Sequence, residues 1–419
     1  MNVSPIGRIG ILTLLAIVHL NFYVSALLTD HLQVFFPQEI ILDIKTLDYA
    51  QIPDGARACF DGGPIVGERS RSLWIPNVYH PVTTICLGGV LQLFSIETGF
   101  VLFTISKLLI TVLLFWAVYS QYCQSKNFLW ASLVFFSFFA QAIEIGCGQY
   151  QFLLNLFLFL FLFGIVHDAS EWRLSIAYLG SLLIKPVGLL WAPVLLLKGK
   201  WRTLVWGLGG FALLTVAGTF IRGGEFYLKR LVFRMRAGTE LLDPVTNGVV
   251  YNLEAPLIFL GCDAAVTQIL EYVAGIILLG CLVSRRITLF AGVFLCVCYF
   301  LLFYSEAYEY HYTLLVPLFV VGLLTQKEFD QPFAKICILV SCLPSPYFVF
   351  KALGLFTLPP EMAATLPKRY DYDLARIVSV EGICVMMLIR VLPTLALAIY
   401  VVTTSFSSRG DKGYAHQAQ

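Results

Sequence analysis

Charge is scarce in this chain. Asp, Glu, Lys and Arg make up 13% of its 419 residues, while 58% are hydrophobic and the mean hydropathy is +0.81. A soluble globule, with about 25% charged and about 45–50% apolar residues, is excluded. An excess of one sign is lacking as well: the formal net charge is +2, and basic residues are dispersed between apolar segments. Without a basic face, nucleic acid is not a partner. A cysteine framework is also missing. There are 11 cysteines but no CxxC pair, and Cys296 and Cys298 point to different helix faces, which argues against zinc or redox chemistry. Cys86, Cys147, Cys281, Cys337, Cys342 and Cys384 lie in or beside apolar stretches, where a thiol behaves as a small hydrophobe. Cys59 and Cys262 are placed to meet an oxidising face, and whether they pair stays open. No internal repeat appears, which disfavours the two-fold architecture common among transporters.

What the chain has in abundance is long apolar sequence. Apolar segments run over 9–28, 81–96, 99–120, 127–146, 148–166, 173–198, 203–221, 265–283, 287–303, 311–325, 333–357 and 381–403. Most reach the roughly 20 residues that a spanning helix needs. The expected fold is all-α, a polytopic transmembrane bundle of about 11–12 membrane helices forming one integral membrane domain over 1–419. Arg8 followed by an apolar run reads as a retained first span rather than a cleaved signal peptide, although Val24-Ser25-Ala26 has the form of a cleavage site. Basic connectors, Lys198 to Arg202 and Arg285-Arg286, set the cytoplasmic side. Counting from them puts the polar stretches 29–80 and 222–264 and the connector 304–310 on the extracytoplasmic face.

Two segments are irregular. Segment 81–96 is short and opens on Pro81, so it is expected as an outer-leaflet or re-entrant helix. Segment 173–198 carries Lys185-Pro186 at its centre. Proline removes a backbone donor and clashes with the preceding turn, so 173–184 and 187–197 are expected as two short helices that enter and return on the cytoplasmic side, or as one kinked span if 81–96 crosses fully.

Polar groups at membrane depth are the candidate functional residues, because they are costly unless something binds them. Gly148-Gln149 opens a helix that is almost entirely Leu and Phe. Lys185 needs an anion, either a protein carboxylate such as Asp43 or Glu144 or a substrate phosphate. Asp43 and Asp48 follow the first span; a carboxylate there suits a general base, and a solvated amphipathic helix is the plainer alternative. Trp74 to Pro81, with Tyr79 and His80, reads as an interfacial cap or a sugar contact. The connector Phe303 to Tyr312 concentrates Glu306, Glu309, His311 and four tyrosines. Arg222, Lys229, Arg230, Arg234 and Arg236 lie on a basic amphipathic stretch suited to an anionic lipid surface.

The order of these motifs resembles the family 87 glycosyltransferases, membrane enzymes of the C-type fold that use polyprenyl-phosphate sugars. Asp43 to Ala50, Tyr79-His80-Pro81, Gly148-Gln149, Gly180 to Pro186 with the basic turn after it, and Tyr310-His311 carry the likeness. It implies α-mannosyltransferase-like transfer with inversion, from a polyprenyl-phosphate sugar to a lipid or glycan hydroxyl, at the extracytoplasmic face of a cell (inner) membrane. Residues 1–221 with loop 29–80 would form the catalytic module, and 222–419, with loops 222–264 and 358–380, the variable helices. The resemblance assigns Asp43 and His311 to catalysis and Lys185 and Gln149 to the donor phosphate. Substrate contacts fall to Asp48, Tyr79, His80, Glu306, Glu309 and Asn247, with no cofactor and no metal. Asn155 stands six residues beyond Gln149, and Asn247 and Asn252 match the family's outer-loop asparagine only loosely. A transporter or flippase of lipid-linked sugars is the alternative, and a noncatalytic scaffold a third reading.

Overall fold

The computed structural model describes residues 5–27, 47–65, 77–236, 252–259, 261–304, 307–344 and 380–407. In chain order the helices are α1 (Pro5–Leu27), α2 (Leu47–Phe60), α3 (Pro81–Leu91), α4 (Ile96–Tyr122), α5 (Phe128–Ser137), α6 (Ala140–Cys147), α7 (Gln151–Val166) and α8 (Glu171–Ile184). After a 3-10 turn (Pro186–Trp191) come α9 (Ala192–Leu197), α10 (Trp201–Thr219), α11 (Glu225–Arg236), α12 (Glu254–Phe259), α13 (Ala264–Val283) and α14 (Leu289–Phe303). A second 3-10 turn (Glu309–Leu314) leads to α15 (Leu315–Thr325), α16 (Pro332–Cys342) and α17 (Val380–Ser407). The described residues contain no strand, and the all-α expectation holds.

Among the described residues, five stretches are long and apolar enough to cross a membrane: Pro5–Leu27, Ile96–Tyr122, Phe128–Cys147, Ala265–Val283 and Leu388–Ser407. Six further apolar helices have only 10–17 residues. Helix α3, with 11 residues at about 1.5 Å each, rises about 16 Å, short of the roughly 30 Å of a bilayer's hydrocarbon core. Trp206 and Leu213, each 70% exposed, and Ile276, 71% exposed, give the bundle an apolar outer surface suited to lipid.

Contacts along the helices fix their directions. Gly164 packs on Leu174 and Gly180 on Phe157, so α7 and α8 are antiparallel. Gly207 packs on Tyr178 and Gly210 on Leu179, so α10 runs alongside α8. The break at Lys185 is real: its backbone is extended (φ −144°, ψ 134°) between α8 and the first 3-10 turn. The chain then doubles back, with Trp191 6.4 Å from Tyr178 between ring centroids and Gly188 against Ser181 and Leu182. This is the returning hairpin rather than a kinked span.

Two ends of the bundle follow. At one end, Tyr122 meets His167 at 3.0 Å, Lys198 Nζ donates to the Ser284 carbonyl at 2.7 Å, Lys126 pairs with Asp330, and Phe290 contacts Phe329. The other end collects α2, α3, the turn between α6 and α7, the tip at Lys185 and the second 3-10 turn. Helix α2 is packed there rather than solvated. Tyr49, Ala50, Ile52 and Ala56 are fully buried, with Gly88 of α3 against Ile52 and Ala56 and Gly99 of α4 against Tyr49.

Small residues bring these helices into close contact where lipid supplies no hydrophobic drive between them. Gly180 has no room for a side chain beside the Phe157 ring, whereas Gly209 faces open space. We expect Gly180→Leu to destabilise the protein by about 1–3 kcal/mol through overpacking, read as a lowered thermal midpoint in detergent. Gly209→Leu should leave the midpoint unchanged; equal losses for both would refute this packing.

Candidate functional site

The site is built on the turn that joins α6 to α7. Gly148 closes α6 in the left-handed conformation (φ 68°), and any Cβ there would strike Tyr49 and the Phe100 ring. Only glycine serves, because it alone combines that φ with so close an approach. The turn presents Gln149, which is 3% exposed. Beneath it Lys107 of α4, 1% exposed, donates to Glu144 Oε1 at 2.6 Å and to the Gln149 carbonyl at 2.7 Å. Glu144 also accepts the Phe152 backbone N–H at 3.2 Å. One buried ion pair thus ties α4, the end of α6 and the start of α7 together.

Gln149 in turn holds an acid. Its Nε2 donates to Asp48 Oδ2, while Gln51 Nε2 donates to Asp48 Oδ1 at 2.9 Å. The Tyr79 hydroxyl donates to Gln149 Oε1 at 3.5 Å, and the Tyr150 hydroxyl donates to the Tyr49 carbonyl at 2.9 Å. Asp48 itself is half-buried. The dense protein around its carboxyl pushes the pKa up to about 6, against the opposing pull of Lys185, the Gln149 hydrogen bond and Lys107. Such an acid is ionised at neutral pH yet basic enough to accept a proton.

Opposite stands the hairpin tip. Lys185 Nζ lies 3.5 Å from His311 Nε2 and 4.9 Å from the centre of the Tyr310 ring. His311 Nδ1 accepts the Tyr308 backbone N–H at 3.1 Å, so the neutral ring carries its proton on Nε2. An ammonium and an imidazole N–H therefore present donors side by side, an arrangement that an anion accepting from both would satisfy. The second 3-10 turn is tied to α7 by Asn155 Nδ2 donating to Thr313 Oγ1 at 2.8 Å. A cavity of about 50 Å³ lies on the other side of Glu144, lined by Tyr23, Thr111, Gln141, Glu144 and Asn155 among apolar side chains such as Phe152, Phe159 and Val316; Asp48, Gln149, Lys185 and His311 do not line it.

The structure brings together Asp48, Tyr79 and Gln149, and separately Lys185 and His311, with Lys185 acting electrostatically on Asp48. Asp43, Glu306 and Asn247 lie outside the described residues. His80 does structural work instead: Nδ1 accepts the Val82 N–H at 3.2 Å, capping α3, and Nε2 meets Thr215 at 3.1 Å. Burial holds its pKa down to about 4, so it is neutral. Glu309 is engaged by Arg390 at 2.6 Å. Glu144, weighed as a partner for Lys185, pairs directly with Lys107 and feels Lys185 only as a longer-range charge. Cys59 and Cys262 are both free thiols, and the described residues contain no cluster suited to a metal ion.

Sequence reasoning missed Lys107, Gln51, Tyr150 and Arg390. Lys107 and Arg390 carried the signal that singled out Lys185, a cation inside an apolar run.

Removing one member of a buried pair strands the other charge. Lys107→Met should cost about 3–5 kcal/mol, and Lys107→Met/Glu144→Met should recover most of it in thermal unfolding; a double variant no better than the single would show that the pair is not the fastener. No family model matches this chain, and neither the curated proteins nor the solved structures contain a match to it.

Proposed function

We propose that this protein is a membrane glycosyltransferase that moves a hexosyl group from a polyprenyl-phosphate sugar to a lipid or glycan hydroxyl, with inversion. The resemblance to family 87 makes that group mannosyl. One observation carries the reading: a carboxylate held by Gln149 with a raised pKa stands in the field of Lys185, whose ammonium is paired in space with a His311 N–H donor. An acid to take a proton and a donor pair to take an anion are the two requirements of transfer from a phosphate leaving group.

Asp48 accepts the proton of the acceptor hydroxyl as its oxygen attacks the anomeric carbon. The bond from that carbon to the phosphate oxygen breaks, and the electron pair departs with the phosphate, where Lys185 and His311 meet the growing charge. Fixed donors of this kind require no reorganisation at the moment of reaction. A monophosphate leaving group places no demand for a metal on this scheme. Asp43, the base by resemblance, is five residues upstream, and the two acids are separable by experiment.

Sidedness follows from charge. The connectors at the end away from the site carry Lys126, Arg173, Lys198, Lys200, Arg202, Arg285 and Arg286. Basic residues in short connectors are retained in the cytoplasm, so the site opens on the extracytoplasmic face of a cell membrane.

Two outcomes are expected. In membranes supplied with a radiolabelled polyprenyl-phosphate hexose, Asp48→Asn lowers transfer by about 100- to 10,000-fold, while Asp43→Asn retains it; undiminished transfer by Asp48→Asn would remove this acid from the mechanism. The kcat/KM of the wild type falls as pH drops through about 6, where Asp48 takes up its proton. Lys185 favours the ionised carboxylate, so Lys185→Met moves that acid limb to higher pH. A limb that stays in place would show that Lys185 does not face Asp48.

A further inference from the structure

We infer that the cavity behind Glu144 is a binding site for a neutral hydroxyl group, separate from Asp48, Lys185 and His311 and supplied either by water or by the head of a lipid-soluble alcohol. Hexosyl transfer is no part of this assignment.

Glu144 is 2% exposed, yet its carboxyl is only half engaged. Lys107 Nζ and the Phe152 N–H both reach Oε1, and among the described residues Oε2 has no donor. Glu144 lines the cavity together with Tyr23, Thr111, Gln141 and Asn155. A carboxylate oxygen left without a donor among apolar walls is costly, so this space calls for one. The lining offers donors in return. Asn155 Nδ2 carries two N–H groups and spends one on Thr313 at 2.8 Å, and Gln141 Nε2 spends one on the Phe135 carbonyl at 3.1 Å. The hydroxyls are satisfied within the protein: Tyr23 meets Thr111 at 3.2 Å, and Thr111 Oγ1 donates to the Lys107 carbonyl at 2.8 Å.

This mixed lining selects the ligand. Lys107 already balances the Glu144 charge, so a cation would bury a surplus charge, and an anion would meet the carboxylate. A hydroxyl both donates and accepts, which matches one free carboxylate oxygen beside spare amide N–H groups. Size agrees: the cavity holds about 50 Å³, against the roughly 10–15 Å³ that one water needs, which leaves room for the first carbons of a chain. Leu114, Phe152, Asn155 and Leu156 are only half-buried, so the cavity opens between α4 and α7. Thr111 and Leu114 stand near the middle of α4, itself long and apolar enough to cross a membrane. The opening therefore meets hydrocarbon, into which an alcohol's chain can trail. An occupant there touches both the carboxylate that fastens the α6–α7 turn and the asparagine that ties α7 to the turn bearing His311.

The test irradiates the full chain in nanodiscs with octanol carrying a photoreactive diazirine and maps the labelled residues by mass spectrometry. Label is expected on residues 152–156 and is displaced by plain octanol. Octane should compete about 10- to 100-fold less well, the worth of a hydrogen bond to a charged group. Leu156→Phe, which fills the mouth, should abolish the label while the thermal midpoint measured without alcohol stays in place. Where that variant fails to fold, Leu114→Phe fills the mouth from the opposite wall. These outcomes assign the hydroxyl to an alcohol. Absent label, with ordered water within hydrogen-bond reach of Glu144 Oε2 in an experimental structure, assigns it to water. Octane competing as well as octanol, or label unaltered in the filled variants, would overturn the inference, as would a Glu144 Oε2 with neither alcohol nor water beside it.

Discussion

The ion pair between Lys107 and Glu144 is the constraint on which the rest of the site depends. Both groups are almost wholly removed from solvent, so neither can be ionised without the other, and each also uses its remaining capacity on the backbone of the α6–α7 turn. The pair therefore fixes the turn. The turn fixes Gln149, Gln149 fixes Asp48, and the fully buried Tyr49 beside that acid holds α2 against α4. A polar chain several residues long is thereby carried by one desolvated contact, which is why its geometry belongs to the fold rather than to the loops.

A second constraint comes from the hairpin broken at Lys185-Pro186. Proline prevents the helix from continuing, and the freed backbone is tolerated because it lies at a tip among α7, α8 and the second 3-10 turn rather than in lipid. Glycines at 188 and 207 let the two arms and α10 close on one another, and Gly180 lets α8 close on α7. The lysine at the tip thus reaches the same end of the bundle as Gln149 and His311. Two buried ion pairs flank the site: Lys107 with Glu144 underneath it, and Arg390 with Glu309 behind His311.

Much of this was legible in the sequence where one residue forces one outcome. Lys185-Pro186 announced the break, Pro81 the short α3, and Gly148-Gln149 the polar mouth of α7. What the sequence could not show was pairing across space. Glu144 stood with Asp43 as a carboxylate that could answer Lys185, until Lys107, hidden in the apolar run 99–120, proved to be its partner. His80 looked like a ligand because nothing local revealed that its two nitrogens are spent on Val82 and Thr215. The placement of Asp48 depends on helix α2, whose packed face is set by Gly88 and Gly99 of other helices, and Asp43 lies outside the described residues. Hydropathy marks apolar sequence and not helix length, and Pro81 and Lys185-Pro186 mark where apolar runs become short helices.

The central claim is that Asp48 and the Lys185–His311 pair look into one shared space made for a lipid-linked phosphate. An experimental structure of the protein in nanodiscs with polyprenyl phosphate bound tests it most directly. The account predicts the phosphate against Lys185 Nζ and His311 Nε2, with the Asp48 carboxylate facing the same space. A phosphate bound elsewhere, or packed helices separating Asp48 from Lys185, would contradict it.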